Sequence, residues 1–266
     1  MSRKRTFAAG TVLLLASGLL LVSASAQRQY QIRELLWLHV TTNRRAPQGV
    51  EFIFARAWFS THRTARGFRG ILYEGWAHDY PVAEEHILQV ASEATSINLN
   101  TESYVIVRLE SEEIFRYPFL YFSEVGEMNL NEREVANLRE YLNRGGFAMV
   151  DDFDNQVLLD WFAGQMLKVF PDRPLVELTV DHPIFHTFYE IPTLAVDPPA
   201  KGRRNRGERA RFYGYFDDLG RLCMIINHNN DLGDFWEWID QPRYPLEPST
   251  VALRFGINYL LFSLSH

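Results

Sequence analysis

The run Gly145-Gly146-Phe147-Ala148-Met149-Val150-Asp151-Asp152 constrains the fold more than any other segment. Four consecutive apolar residues between a diglycine and paired aspartates do not alternate with polar ones, so the strand they predict is buried on both faces. Such strands occupy the centre of parallel sheets, which need helices on both faces to cover them. Open sheets of that kind gather ligands at the carboxyl ends of their strands, so Asp151 and Asp152 mark a candidate site.

The flanking sequence alternates apolar runs with amphipathic stretches, as repeated β-α units do. Strands are predicted over residues 52–59, 104–109 and 119–122, the last entered through Pro118, which favours extended backbone before it. Ile87, Leu88 and Ala91 stand at helical spacing within 82–95, behind Asp79-Tyr80-Pro81 as a helix entrance. The segment Asn131-Glu132-Arg133-Glu134 predicts the capped start of a helix with the apolar stripe Val135, Leu138, Tyr141 and Leu142, closed by the diglycine. Residues 157–170 read as a helix stopped at Pro171. Asp217-Asp218-Leu219-Gly220 predicts a turn between antiparallel strands over 211–216 and 221–227. A final helix is expected over 250–264, and the proline-, glycine- and arginine-containing stretch 198–207 predicts a surface loop. With 47% hydrophobic and 14% aromatic residues and no internal repeat, one large core is expected over 51–266.

Arg3, Lys4 and Arg5 precede an uncharged stretch over 6–22 that ends in Ala24-Ser25-Ala26. This is the pattern of a secretory signal peptide over residues 1–26, with residues 27–50 as a linker. Left uncleaved, the same stretch would act as an N-terminal membrane anchor. The expected location is therefore periplasmic or extracellular. Cleavage removes three basic side chains and moves the formal charge from −6 to −9. So acidic a chain is not expected to bind nucleic acid or an anionic membrane surface, which call for a concentrated basic face. The basic groups Arg63, Arg66 and Arg69, and Lys201, Arg203, Arg204 and Arg206, match no nucleic-acid motif and read as solvated loops. Cys223 is the only cysteine, which rules out an intramolecular disulfide. Within Leu222-Cys223-Met224-Ile225-Ile226 it reads as a small buried hydrophobe rather than a reactive thiolate.

Asp151, Asp152 and Asp154 follow one predicted strand, and His228, Asp231 and Asp234 follow another, so all six are expected at one sheet edge, with Asp181 and His182 joining them. Converging carboxylates repel; they raise one another's pKa, recruit a cation, or stay apart through solvent. Asp152 and His228 are the candidate catalytic residues. Asp152, Asp231 and Asp234 are the candidate ligands of a divalent metal, Mg²⁺, Ca²⁺ or Mn²⁺ by their oxygen donors, or Zn²⁺ if two histidines converge. Asp151, Asp154, Asp181, His182, Asp231 and Asp234 are candidate binding residues, with Trp76 and Trp236 as an aromatic wall for a carbohydrate or similar ligand. Neither a His-Glu-x-x-His pair nor a twelve-residue Ca²⁺ loop is present. Each residue also has a plainer reading: Asp152 or Asp154 as a helix cap, Asp231 to Asp234 as a turn, and the tryptophans as core. A buried Asp151 needs a partner, for which Arg116 and His228 are nominated.

Trp76, Asp79-Tyr80-Pro81, Arg116-Tyr117-Pro118-Phe119-Leu120-Tyr121, Gly145-Gly146-Phe147, Val150-Asp151-Asp152, Phe170-Pro171-Asp172-Arg173-Pro174, Asp181-His182-Pro183-Ile184-Phe185 and Asn230-Asp231-Leu232-Gly233-Asp234 follow in an order that resembles the bacterial domain-of-unknown-function family 4159. The resemblance covers residues 51–262. It implies an α/β fold of the class I glutamine amidotransferase-like kind, a flavodoxin-like three-layer sandwich with a mostly parallel central sheet, similar to the trehalose-utilisation branch. In that superfamily the residue after the diglycine strand occupies a nucleophile elbow, where amidotransferases carry cysteine. Here the elbow reads Asp152-Phe153, and without a thiolate covalent acyl transfer cannot run from it. The expected function is a non-catalytic exported domain that binds a small polar ligand or an envelope protein partner. The alternative is a metal-assisted hydrolase of carbohydrate or cell-envelope material, with Asp152 as base or metal ligand and His228 as acid-base partner. The resemblance also implies chaperone-type ATPases and von Willebrand factor A-type proteins as partners.

Overall fold

The Phe147–Phe153 strand is buried throughout except at Asp152, which is half-buried, so the strand lies at the centre of a sheet as its apolar run requires. The computed structural model describes residues 45–62, 75–195, 209–242 and 245–265, with the backbone alone of 65–66 and 72–73. The signal segment, the linker before residue 45, the loop over 198–207 and the side chains of Arg63, Arg66 and Arg69 lie outside the described residues. No helix among the described residues is long and apolar enough to cross a membrane.

In chain order the elements are β1 (Phe54–Trp58), β2 (Ala65–Arg66), β3 (Leu72–Tyr73), α1 (Val82–Ala94), β4 (Tyr104–Arg108), β5 (Phe119–Ser123), α2 (Glu132–Asn143), β6 (Phe147–Phe153), α3 (Asn155–Val169), β7 (Val176–Glu177), β8 (Arg211–Phe216), β9 (Leu222–His228), α4 (Leu232–Glu237) and α5 (Leu246–Ser263). β2 and β3 form a small separate hairpin. The other strands form one seven-stranded sheet ordered β4-β1-β5-β6-β9-β8-β7. The first five run parallel. β8 is antiparallel to β9 in the predicted hairpin, and the short β7 pairs with β8 at the edge. The fold is thus mixed α/β with a mostly parallel sheet.

Local chemistry accounts for the helix ends. Asn131 accepts from the backbone N–H of Arg133 and Glu134 at 3.0 Å each, and Glu134 returns a bond to the Asn131 N–H at 2.9 Å, completing a capping box. The diglycine closes the same helix: Gly145 has φ +92°, and a Cβ on Gly146 would lie 2.4 Å from the Tyr141 ring. Helices α1, α4 and α5 pack against one another, and α2 packs on α3. Phe147 meets Phe262 of α5, and Asp151 accepts from Gly233 of α4, so these two side chains share a face, as an interval of four residues in a strand demands. Phe153 would continue on that face, but it packs on Phe162 of α3. A register shift between Val150 and Phe153 explains the reversal: Asp152 is a bulge residue at φ +57° that re-aims the end of the strand.

One charge is buried in the second strand of the sheet. Arg56 of β1 is fully buried, as is its ion-pair partner Glu84 of α1. Its Nη1 donates to the carbonyls of Trp76 at 2.9 Å and His78 at 2.6 Å, and its guanidinium lies 4.7 Å from the centre of the Tyr121 ring. Removing one partner of such a pair strands the other charge in the core. Arg56→Met is therefore expected to lower the unfolding free energy by about 3–5 kcal/mol in urea titration, with part of the loss recovered when Glu84→Gln is added.

Candidate functional site

The carboxyl ends of β5, β6 and β9 and the segment ahead of α1 bring acidic side chains to one edge of the sheet. Asp79 and His78 come from the turn after the 3₁₀ segment Gly75–Ala77, held by the Arg56 contacts to the Trp76 and His78 carbonyls. Asp152 is the bulge of β6. Asp231 caps α4, accepting from the Asp234 N–H at 2.8 Å. Ligand atoms of Asp79, Asp152 and Asp231 lie within 4.8 Å of one another; so do those of His78, Glu124 and Asp152, and those of Asp79, Asp234 and Glu237.

Among the described residues, His78 is the cation in contact with the first of these groups. Its Nδ1 stands 2.8 Å from Asp79 Oδ1 and 2.8 Å from Asp152 Oδ2, and the Ser123 hydroxyl donates to Asp152 Oδ2 at 3.2 Å. Beneath them, fully buried Asp151 accepts from the Gly233 N–H at 2.9 Å and the Tyr121 hydroxyl at 3.3 Å, both on Oδ2. Five described non-glycine residues have positive φ: Asp79, Glu124, Asp152, Asn155 and Asn229. All five lie in this turn or at the ends of β5, β6 and β9. Left-handed backbone costs on the order of 1–3 kcal/mol per such residue and persists only where packing over-determines it, which marks this edge as built for something other than stability.

Burial and mutual repulsion set the electrostatics. Burial, then Asp152, pushes the Glu124 carboxyl up to about 8. Burial, then Asp79 and Asp234, pushes Glu237 up to about 7. Burial likewise lifts Asp151 to about 7 against the Gly233 hydrogen bond, and lifts Asp231 well above the ordinary range with help from Asp152. Asp152 moves the other way: burial opposes its charge, but the His78 hydrogen bond outweighs that and holds it below the ordinary range. His78 is raised for the reciprocal reason, burial being overcome by the bonds to Asp152 and Asp79.

The structure gathers Asp151, Asp152, Asp231 and Asp234 as the sequence predicts, and separates the rest. His228 ends β9 beside β6, but its Nε2 meets the Asn155 carbonyl at 3.1 Å and it lines a neighbouring surface cavity with Gln156, Glu177, Arg209 and Arg211. It belongs to none of the three carboxylate groups. Asp181 and His182 fall at the opposite end of the sheet: His182 packs among Phe185, Phe216 and Phe262, and Phe216 ends the antiparallel β8 near where β6 begins. His182 caps a short 3₁₀ turn, its Nδ1 accepting from Ile184 at 3.3 Å. Asp154 stands at the N-cap of α3 without capping it and accepts from Asn155 Nδ2 at 2.7 Å. Trp76 and Trp236 are core: Trp76 stacks on Trp58 at 4.8 Å, and Trp236 donates to the Ala252 carbonyl at 3.1 Å. The partners of Asp151 are Gly233 and Tyr121, while the nominated Arg116 is exposed. Cys223 is buried, its thiol pushed up to about 12 by burial, and it donates to the Tyr215 carbonyl.

Sequence reasoning missed His78, Glu124 and Glu237 as site residues and took Asp79 only as a helix entrance. The available signal was the His78-Asp79 pair and the glutamates Glu124 and Glu127 directly after an apolar strand.

The raised carboxyls fix the sign of a pH dependence. The native state binds more protons than the unfolded chain, so stability is highest below the ordinary glutamate value of 4.5 and falls as pH rises through about 8 for Glu124. Asp152 contributes oppositely, its stabilisation appearing above its ordinary value of 3.8. In chelator, urea midpoints are expected to decline between about pH 5 and 8, and a Glu124→Gln, Glu237→Gln double variant to show a flatter decline.

A family model described as a domain of unknown function (DUF4159) matches residues 67–264, a span that contains every carboxylate of the cluster and starts after Arg56. No curated protein matches the chain. The match covers most of the chain, which belongs to the DUF4159 family.

Proposed function

We propose that the chain is an exported, non-catalytic binding domain whose acidic pocket at the carboxyl edge of the sheet takes a positively charged group of a small ligand or of an envelope protein partner. The observation that carries this reading is the state of Asp152. It occupies the strand-to-helix turn where a covalent enzyme would hold its nucleophile, yet it is a carboxylate ion-paired to His78 and hydrogen-bonded by Ser123. A group held so firmly in its charged form supplies field rather than attack. Cys223, buried with its thiol raised, offers no substitute nucleophile.

A flavodoxin-like, class I glutamine amidotransferase-like architecture agrees with this reading. Numbered along the chain, the five parallel strands lie in the order 2-1-3-4-5, the flavodoxin-like order. In such sheets ligands collect outside the strand ends where the order reverses, here between β1 and β5, and the Asp79, Glu124 and Asp152 cluster borders that point. Export rests on the charged, then apolar, N-terminal pattern.

One observation favours the second reading, a metal-assisted hydrolase of carbohydrate or envelope material. The Glu124 carboxyl, near 8, adjoins an ionised Asp152, and Glu237, near 7, adjoins Asp79 and Asp234; groups with separated pKa values are the makings of acid and base.

Thermal melting of the parent and of Asp152→Asn at low ionic strength, against putrescine, spermidine, glucosamine and neutral sugars, tests the binding reading. At least one organic cation is expected to raise the parent's Tm in a concentration-dependent way, with no response from a folded Asp152→Asn. A parent stabilised by no cation, or a variant that responds equally, would overturn it.

A further inference from the structure

We infer that Asp79, Asp152 and Asp231 together form a binding site for a hard divalent cation, with Ca²⁺ the closest fit, a deepening that rests on the acidic-pocket reading above. Three separate segments supply these carboxylates: the turn before α1, the bulge of β6 and the cap of α4. Their ligand atoms lie within 4.8 Å of one another. Oxygens at 2.3–2.6 Å from a Ca²⁺ ion can stand up to about 5 Å apart across it, whereas the shorter bonds of Mg²⁺ allow only about 4 Å. An all-carboxylate set suits a hard cation better than Zn²⁺.

A second observation points to the missing charge. The Asp79 side chain is 1% exposed; its Oδ1 is paired with His78, and its buried Oδ2 accepts no hydrogen bond. Its one opposite charge is His78, whose Nδ1 is shared at 2.8 Å with Asp152. The remaining groups facing it belong to other acids, Asp152 and Asp231 on one side and Asp234 and Glu237 on the other. The nearest further cation, Arg56, is neutralised by Glu84 and gives its Nη1 to two carbonyls. Buried carboxylates assembled around half a histidine need a counter-charge that the described residues do not supply, and a divalent ion at their common centre would supply it.

Backbone space is kept open beside that centre. A Cβ on Gly233 would lie 2.6 Å from Asp79 Oδ2 and 2.7 Å from the Tyr121 hydroxyl, so only glycine lets α4 approach the carboxylates this closely. The Gly233 N–H is meanwhile bound to Asp151 Oδ2, which ties the position of Asp231, two residues earlier, to the end of β6.

The test uses the full chain stripped with EDTA and desalted, titrated calorimetrically with CaCl₂, MgCl₂, MnCl₂ and ZnCl₂ alone and melted in each. One Ca²⁺ per chain with a raised Tm is expected. Asp79→Asn and Asp231→Asn should weaken Kd by about tenfold or more, and Asp181→Asn, at the opposite end of the sheet, should not. Asparagine caps a helix as aspartate does, so Asp231→Asn keeps the α4 cap and reads the charge alone. Absence of metal binding by the parent, or equal Kd in all three variants, overturns the inference. A parent that responds to organic cations but to no metal sinks the metal site and leaves the binding reading standing; response to neither sinks both.

Discussion

The site depends on a charge buried far from water. Arg56 sits in the second position of the sheet, and taking its guanidinium out of solvent costs several kcal/mol unless every side of it is compensated. Glu84 meets one side, the Trp76 and His78 carbonyls another, and the Tyr121 ring lies across its face. Those contacts, which leave only Nη2 without a hydrogen bond, do more than offset the burial of the arginine. By holding two consecutive turns of backbone against β1, they present His78 and Asp79 at the carboxyl edge of the sheet, where β6 delivers Asp152. The strand core and the acidic edge are thus one structure: the buried pair fixes the turn, and the turn brings the histidine to the aspartates.

The edge itself is organised by three devices that share atoms. The bulge in β6 separates Asp151 from Asp152, turning one toward α4 and the other toward His78. Asp151 then holds the Gly233 N–H, and through the first turn of α4 positions Asp231, whose own carboxylate caps that helix. Left-handed backbone at Asp79, Glu124 and Asp152 completes the convergence. Each device stabilises little alone and several are unfavourable, which is the signature of an edge shaped for charge rather than for packing.

Much of this was legible in the sequence, for reasons specific to each element. β6 was readable because four apolar residues lie between a diglycine and two aspartates, and α2 because Asn131 and Glu134 have capping-box spacing. The β8–β9 hairpin was readable from Asp217 to Gly220. The same logic placed Asp151, Asp152, Asp231 and Asp234 at one edge. It could not place His78 and Asp79, since their position depends on Arg56, and an arginine inside an apolar run carries no periodic signal of its partner. His182 was misassigned because its neighbours Phe216 and Phe262 reach it only through the reversed direction of β8 and the packing of α5. Trp76 and Trp236 read equally as wall or core, and burial decided for the core.

The central claim is that His78 is held as an imidazolium between Asp79 and Asp152. Nitrogen-15 NMR of the ring in the chelator-treated chain measures this directly. The geometry predicts that His78 stays charged well above the ordinary histidine value of 6.5, and that Asp152→Asn lowers its midpoint. Titration of His78 near that ordinary value in the parent, unmoved by Asp152→Asn, would contradict the account.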